Sequence, residues 1–440
     1  MAIGRRKFLA GPGFEPGSGR PKRPMIVHYT IPPNSAREFD HLKPRFGGFQ
    51  ICIFGVGSKS FKLFLKTGVE VSGHCSNFCL MSEEVVVAGA GFAGLNSALM
   101  LDSEGFDVTL IDRDSRHVFK PGLIELMRGR VSKEDITLDL ENFLENTEIK
   151  FVEEEVTEIQ PDRKSVETSG ENFTYDYLVL ALGSEKVQPD FDLRYTENFY
   201  TLEDAEKAVD ELEDSDSAVV IGSGYTGVEI GTELHEKGLD VTVVDESTRP
   251  MPASREKVSQ AALDHFNGAN LSFRGGNRVS EVTNYGVELE NGKEIEADTV
   301  IWCGGLQASK TVQKSFKTSS EGVRVNSGLS ALEHEDIFVA GDSADDENLD
   351  TAQMAEKQGI HVAENIYTGG ELLEDFEPGR NPVIVSLGNS GMMITENSVY
   401  RSRFVRFMKD MVIRYYFFNL RKRKVKSKIR SVKDSFLLDQ

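Results

Sequence analysis

At 440 residues and with an ordinary globular composition, the chain has room for two or three domains, each with its own core. A net charge of −21 argues against a nucleic-acid partner, because phosphates are repelled by an acidic surface. The charge is uneven: residues 1–80 carry +8, residues 81–400 carry −39 and residues 401–440 carry +10. A body this acidic suits a chain kept soluble at molar salt, where charges are screened, as in a salt-accumulating halophile; a merely acidic mesophilic enzyme is the alternative.

Residues 1–80 are basic, rich in Gly and Pro, and without sustained periodicity, so a basic extension is predicted there. At Met81 the composition changes to Ser82-Glu83-Glu84 and an apolar run, which makes Met81 the expected natural start. Arg5-Arg6 resembles a twin-arginine export signal, but Gly11-Pro12-Gly13 follows where an apolar stretch is needed, so export is not expected. His74, Cys75 and Cys79 have poor metal spacing, and no metal site is predicted. Cys303 is the one cysteine of the acidic body, which fits a reducing cytoplasm.

The body carries an internal repeat. Gly89, Gly91, Gly94 and Asp112 recur as Gly222, Gly224, Gly227 and Asp245, each offset by 133 residues. Apolar runs at 85–88 and 218–221 predict buried parallel strands, 95–104 and 228–237 predict helices, and 108–111 and 241–244 predict second strands. Further on, 151–158 and 164–168 read as a hairpin around Pro161-Asp162, and 177–182 as a buried strand. Strands are also predicted at 271–273, 279–283, 286–290, 299–302 and 337–340, and a helix at 351–367. The fold class is α/β, with two Rossmann-like dinucleotide-binding units.

A lone GxGxxG is a weak signal. Here each copy has a strand before it, a helix after it and an acid at the end of the second strand. The helix N-terminus offers unpaired N–H groups to a pyrophosphate. Asp112 and Asp245 can each accept hydrogen bonds from a ribose diol, and a carboxylate at Asp245 repels a 2′-phosphate, so NADH is expected over NADPH.

Together with Tyr177-Leu178-Val179-Leu180-Ala181-Leu182-Gly183 and Ile337-Phe338-Val339-Ala340-Gly341-Asp342, these motifs resemble the FAD/NAD(P)-dependent pyridine nucleotide oxidoreductases over residues 83–370. The resemblance implies an FAD domain (81–195 and 301–395) interrupted by an NAD domain (196–300) and followed by a basic C-terminal segment (396–440). It places FAD on Gly89, Gly91, Phe92, Ala93, Gly94, Asp112, Arg113, Gly183, Gly341, Asp342, Ala352 and Gln353, and NADH on Gly222, Gly224, Gly227 and Asp245.

Within that group, three segments resemble the type II NADH:quinone oxidoreductases: His117-Val118-Phe119-Lys120-Pro121, Ile301-Trp302-Cys303-Gly304-Gly305, and Ala352-Gln353-Met354-Ala355-Glu356-Lys357-Gln358. The likeness puts Gln353, Lys357 and Gln358 on the quinone side, although Lys357 stands where a second Gln is expected. It also makes Glu229 a catalytic candidate near the nicotinamide and flavin. Disulfide, thioredoxin and sulfide:quinone reductases each need a pair of cysteines that Cys303 alone cannot supply.

In the tail, Phe404, Phe407, Met408, Met411, Tyr415 and Phe418 recur at helical spacing among Arg403, Arg406, Lys409, Arg414 and Arg421 to Lys424. An amphipathic helix of this kind suits an anionic membrane surface; docking on an acidic patch of the body or of a dimer partner is the alternative. The resemblance then implies NADH oxidation through FAD to a membrane quinone, with menaquinone expected. The reaction would run without proton pumping, on a peripheral protein at the cytoplasmic side of the cell membrane, in a respiratory chain, with a homodimer as one open assembly. The two alternatives are reduction of a soluble electron-carrier protein and a non-enzymatic nucleotide- or redox-sensing role.

Overall fold

The computed structural model describes residues 49–56, 60–67, 83–346, 351–369, 373–379 and 382–438, with side chains described only from residue 83 to residue 425. Residues 1–80 and 81–440 are two separate compact units. In the first, Phe49–Val56 pairs antiparallel with Ser60–Thr67, so the segment predicted to lack periodicity holds two strands. The alternation of Phe61, Leu63 and Leu65 with Lys62 and Lys66 is its sequence signal. Arg5, Arg6, His74, Cys75, Cys79 and Met81 lie outside the described residues, as do the expectations placed on them.

The second unit is a mixed α/β fold built on two parallel sheets. Its first elements are β1 (Glu84–Ala88), α1 (Phe92–Glu104), β2 (Asp107–Asp112), β3 (Lys150–Glu153) and β4 (Tyr177–Leu180). The next are β5 (Ser217–Ile221), α2 (Tyr225–Lys237), β6 (Asp240–Asp245), β7 (Ser272–Gly275) and β8 (Thr299–Trp302). Then come β9 (Ser330–Ala331), β10 (His334–Val339) and α3 (Ala352–Tyr367). The chain ends with β11 (Val383–Leu387), β12 (Ser390–Ile394), β13 (Val399–Ser402) and α4 (Arg403–Leu438).

The first sheet has the order β9-β10-β4-β1-β2-β3 and is parallel apart from the β9–β10 pair. The second has the order β7-β6-β5-β8 and is wholly parallel. Because β10 pairs with β4, the chain leaves the first sheet, builds the second, and returns to the first. Val85, Val87, Leu178, Leu180, Val339 and Phe338 are buried on both faces, as parallel strands between helical layers require.

Both α1 and α2 are buried on most sides, which is why their sequences show little amphipathic contrast. On its far side α1 carries α3, at a distance so short that a Cβ on Gly359 would lie 2.1 Å from the Ala93 carbonyl oxygen.

Three details differ from the sequence reading. The strand predicted at 151–158 is broken: Lys150–Glu153 joins the first sheet, while Val156–Gln160 turns back against Ser165–Thr168. Glu154 makes the break, its carboxylate accepting hydrogen bonds from the amides of Gly170 and Glu171. The strands Val279–Thr283 and Gly286–Leu289 form an antiparallel sheet of their own with Glu294–Glu296. The antiparallel sheet β11-β12-β13 was not predicted. Its signal was two apolar runs around Gly388-Asn389, where Gly388 takes φ 63° in the hairpin turn.

Candidate functional site

The two glycine turns have the same geometry. Gly89 takes φ +102° and Gly222 φ +98°, and a Cβ there would meet the carbonyl oxygen of Ala181 at 2.2 Å or of Cys303 at 2.3 Å. Around Gly91 and Gly224 nothing lies within 4 Å of where a Cβ would sit, so the open side of each turn has room for a ligand. These same residues precede α1 and α2, and no side chain caps either helix. The first-turn N–H groups therefore have no intrahelical partner and point at that open space, which fits a pyrophosphate.

The acids at the strand ends close each turn. Asp112 Oδ2 accepts the Ala90 amide at 2.5 Å, and Asp245 Oδ2 accepts the Ser223 amide at 2.5 Å. Asp112 Oδ1 also takes the Asp114 amide, as Asp245 Oδ1 takes the Ser247 amide. Burial pushes the Asp112 carboxyl above its usual range, against the pull of the Ala90 and Asp114 amides. Arg113, beside it, is exposed and lies near Asp114 and Glu155.

Since β1, β4 and β10 run parallel, their C-terminal ends gather the first turn, Gly183 and Gly341-Asp342 at one edge. Asp342 accepts the Ser184 hydroxyl at 2.6 Å. Ala93 and Phe92 begin α1 there, and Ala352 and Gln353 begin α3. The three quinone-side candidates do not share one surface. Gln353 is exposed, and Lys357 donates to the Pro378 carbonyl at 2.7 Å. Gln358 is buried, accepting the Gly341 amide at 2.7 Å and donating to Asp346 at 2.6 Å. A helical step of one residue, about 100°, separates Gln358 from Lys357.

His117, read above only as part of a motif, is 2% exposed between the first turn and the tail. Its Nδ1 lies 2.8 Å from the Ala90 carbonyl oxygen and its Nε2 2.9 Å from the Tyr416 hydroxyl. A carbonyl can only accept, so Nδ1 carries the proton, Nε2 accepts, and Tyr416 donates. Burial lowers the His117 pKa to about 4, with Lys120 adding to the effect and the Ala90 carbonyl opposing it. Phe92 and Tyr416 pack on the imidazole, and Phe119 packs on both of them.

Glu229, on α2, is also buried and committed to partners. Its Oε1 accepts the Ser386 amide at 2.5 Å and pairs with the Lys409 ammonium. Around it Arg128, Arg130, Arg406 and Lys409 close on Glu125, Glu229 and Glu233. Burial raises the Glu233 pKa against the opposing pull of Arg130 and Arg406. This network joins the loop after the short helix Leu123–Leu126, α2 and α4.

Arg406 and Lys409, counted in the sequence among the membrane-facing cations, therefore point inward. With them go Val405, Ile413, Tyr416, Phe417 and Leu420, all buried. Each fully buried aliphatic or aromatic side chain among them contributes about 1.5–3 kcal/mol to docking. The opposite face stays apolar and exposed, with Phe404 68%, Phe407 56%, Met411 56%, Tyr415 66% and Phe418 52% exposed. Met408 is half-buried between the two faces. No helix among the described residues is long and apolar enough to cross a membrane.

The family model described as pyridine nucleotide-disulphide oxidoreductase matches residues 83–359, spanning both turns. The chain belongs to that family. As a pyridine nucleotide-disulphide oxidoreductase it is an enzyme that uses FAD and a nicotinamide nucleotide. A curated type II NADH:quinone oxidoreductase of Staphylococcus haemolyticus is 28% identical over 379 residues, 75% of this chain and 94% of the relative. The solved NDH2 of Plasmodium falciparum superposes with TM-score 0.69 at 16% identity, covering 80% of this chain and 98% of that one. The sulfide:quinone oxidoreductase of Aquifex aeolicus superposes with TM-score 0.68 at 21% identity, covering 78% and 92%. At these identities the two structures share the fold. Unlike the family's name, this member's acidic body holds no cysteine pair: Cys303 is alone in it, and burial pushes its thiol up to about 12.

Proposed function

We propose that this oxidoreductase oxidises NADH and passes the electrons to a membrane quinone, without proton pumping. The observation that carries the reading is the docking of one tail helix that touches the structure around both turns and keeps an apolar face outward. The naming of the Staphylococcus relatives supports it.

In this reading the turn at 89–94 and the N-terminus of α1 receive the FAD pyrophosphate, and Asp112 the ribose. Arg113, Gly183, Gly341, Asp342, Ala352 and Gln353 line the rest of the cofactor's path. Bound FAD supplies a two-electron relay between NADH and the quinone. The turn at 222–227 receives NADH, and Asp245 holds its ribose diol and repels a 2′-phosphate. With Glu229 Oε1 held by Ser386 and Lys409, Oε2 is the atom proposed to orient the nicotinamide amide or to exchange a proton. Of the quinone-side candidates, exposed Gln353 is placed toward the acceptor, while Lys357 and Gln358 hold α3 against its neighbours.

The outward stripe of α4 is proposed to lie on the cytoplasmic face of an anionic membrane, flanked by Arg403, Arg414, Arg421 and Lys422. Menaquinone is the expected acceptor in a respiratory chain. The −39 charge of residues 81–400 supports work at molar salt.

The test is an acceptor screen on the full chain in molar salt, comparing NADH with NADPH, and menaquinone with a ferredoxin-type carrier. NADH oxidation coupled to menaquinone is expected, and no oxidation with any quinone overturns the reading. Co-sedimentation with anionic vesicles tests the stripe; a homodimer that buried it would leave the vesicles bare.

A further inference from the structure

The two turns are alike in their glycines and acids but differ in what holds the carbonyl of the residue after the first glycine. In the second copy that residue is Ser223, and its carbonyl accepts the backbone amide of Met251 at 2.7 Å. Met251 belongs to the loop that follows β6, and it takes φ 53° to make this contact. That brace comes from the loop that directly follows the second copy of the repeat.

In the first copy the residue is Ala90. Its carbonyl is held by the His117 side chain, and the far nitrogen of that ring is held by Tyr416 on α4, 299 residues away in sequence. Tyr416 is 4% exposed, so water does not substitute for it. A second link runs beside the first: Arg423 donates to Asn96, whose amide donates to the Phe92 carbonyl in the first turn of α1. Ala90 is thereby held from both sides, by Asp112 at its N–H and by the His117–Tyr416 pair at its C=O.

We propose that Tyr416 is a positioning residue for FAD: through His117 it fixes the Ala90 carbonyl and the phosphate-receiving turn. Through this pair, docking of the C-terminal helix sets how tightly the chain holds FAD, while the Ser223 carbonyl of the second turn is braced by the loop after β6. The proposal rests on the reading of the first turn as the FAD site. Tyr416 touches neither cofactor nor substrate in this scheme; it acts through His117, and His117 acts through the turn.

The experiment uses the full chain, flavin-depleted and titrated with FAD by flavin fluorescence, with NADH binding followed by nicotinamide fluorescence and the fold by circular dichroism. Tyr416→Phe leaves a buried nitrogen without its donor, so the FAD dissociation constant should rise about tenfold. The NADH constant should stay within about twofold, since a distant site is energetically independent. Tyr415→Phe removes the same hydroxyl from the exposed face and should change neither constant. An FAD constant for Tyr416→Phe within twofold of the wild type, or an equal weakening of NADH, overturns the proposal.

Should Tyr416→Phe fail to fold, His117→Gln and His117→Leu decide. The glutamine amide can donate to Ala90 and accept from Tyr416, so it should hold FAD at least about threefold more tightly than leucine. Equal affinities overturn the proposal. A wild-type chain that binds no FAD at all sinks the reading of the first turn itself, an outcome distinct from any variant result.

Discussion

The two glycine turns compare like two castings from one mould set into different frames. Spacing, φ angles, clash distances and the acid at the second strand end agree between Gly89–Asp112 and Gly222–Asp245. The bracing does not. Ser223 is held by a backbone amide from its own loop, whereas Ala90 is held by a buried histidine that leans on the tail. Duplicated local geometry can therefore depend on the rest of the molecule in two different ways. The carbonyl of the first turn is coupled to the tail helix, and that of the second is braced by the loop after β6, while α4 meets α2 further on at Glu229 and Glu233.

The largest expected effect erases the contrast. Arg406 reaches Glu125 and Glu233, so it ties α4 to both halves at once. Arg406→Met removes one of the cations that neutralise the buried Glu125 and Glu233, leaving them to Arg128, Arg130 and Lys409, and should cost about 3 kcal/mol of stability, read by chemical denaturation. Both cofactor affinities should fall together, unlike in Tyr416→Phe. Next comes a pair of matched clashes. A Cβ on Gly94 would lie 1.8 Å from the Gly89 carbonyl oxygen, and one on Gly227 2.0 Å from that of Gly222. Gly94→Ala should weaken FAD and Gly227→Ala should weaken NADH, each on the order of 100-fold, with the other ligand little affected. Cross-effects of equal size would show that the turns are not independent.

A smaller effect concerns specificity. Asp245→Asn removes the charge that repels a 2′-phosphate, so the ratio of kcat/KM for NADPH over NADH should rise about tenfold. The same change at Asp112 should leave that ratio alone. A separate effect is a pH dependence that the second turn lacks. The folded-state pKa of His117 is depressed to about 4 from an ordinary 6.5. Between those values the unfolded chain binds a proton that the folded chain does not, so stability is lost as pH falls. The slope from this group is about 1.4 kcal/mol per pH unit. His117→Gln should remove that slope in denaturation curves taken between pH 6.5 and 4, and an unchanged slope would show that His117 does not titrate as its burial implies.

Much of the fold was legible because parallel strands bury both faces and so read as plain apolar runs, as at Val85–Val87 and Val219–Ile221. Strand ends were harder to read. Glu154 looked like one more strand residue, and only its bonds to Gly170 and Glu171 end the strand there. The two glycine turns and their acids were legible where spacing implies a shared geometry, but the surroundings of Gln358 were not. Its neighbours Gly341 and Asp346 come from another element, and the sequence motif carries no sign of which way its amide turns.

By itself, the sequence determined the two glycine turns and their order, because a strand, a glycine turn, a helix N-terminus and an acid about 20 residues on interact within one local unit. Only the tertiary structure decided what the tail does. Two stripes of helical spacing fit residues 403–425, one through Phe404, Phe407, Met411, Tyr415 and Phe418, the other through Lys409, Ile413, Tyr416, Leu420 and Arg423. Periodicity marks both as faces and cannot say which one meets the body. That choice was made by Glu125, Glu229 and His117, which lie 180 to 299 residues earlier in the chain and are brought beside α4 only by folding.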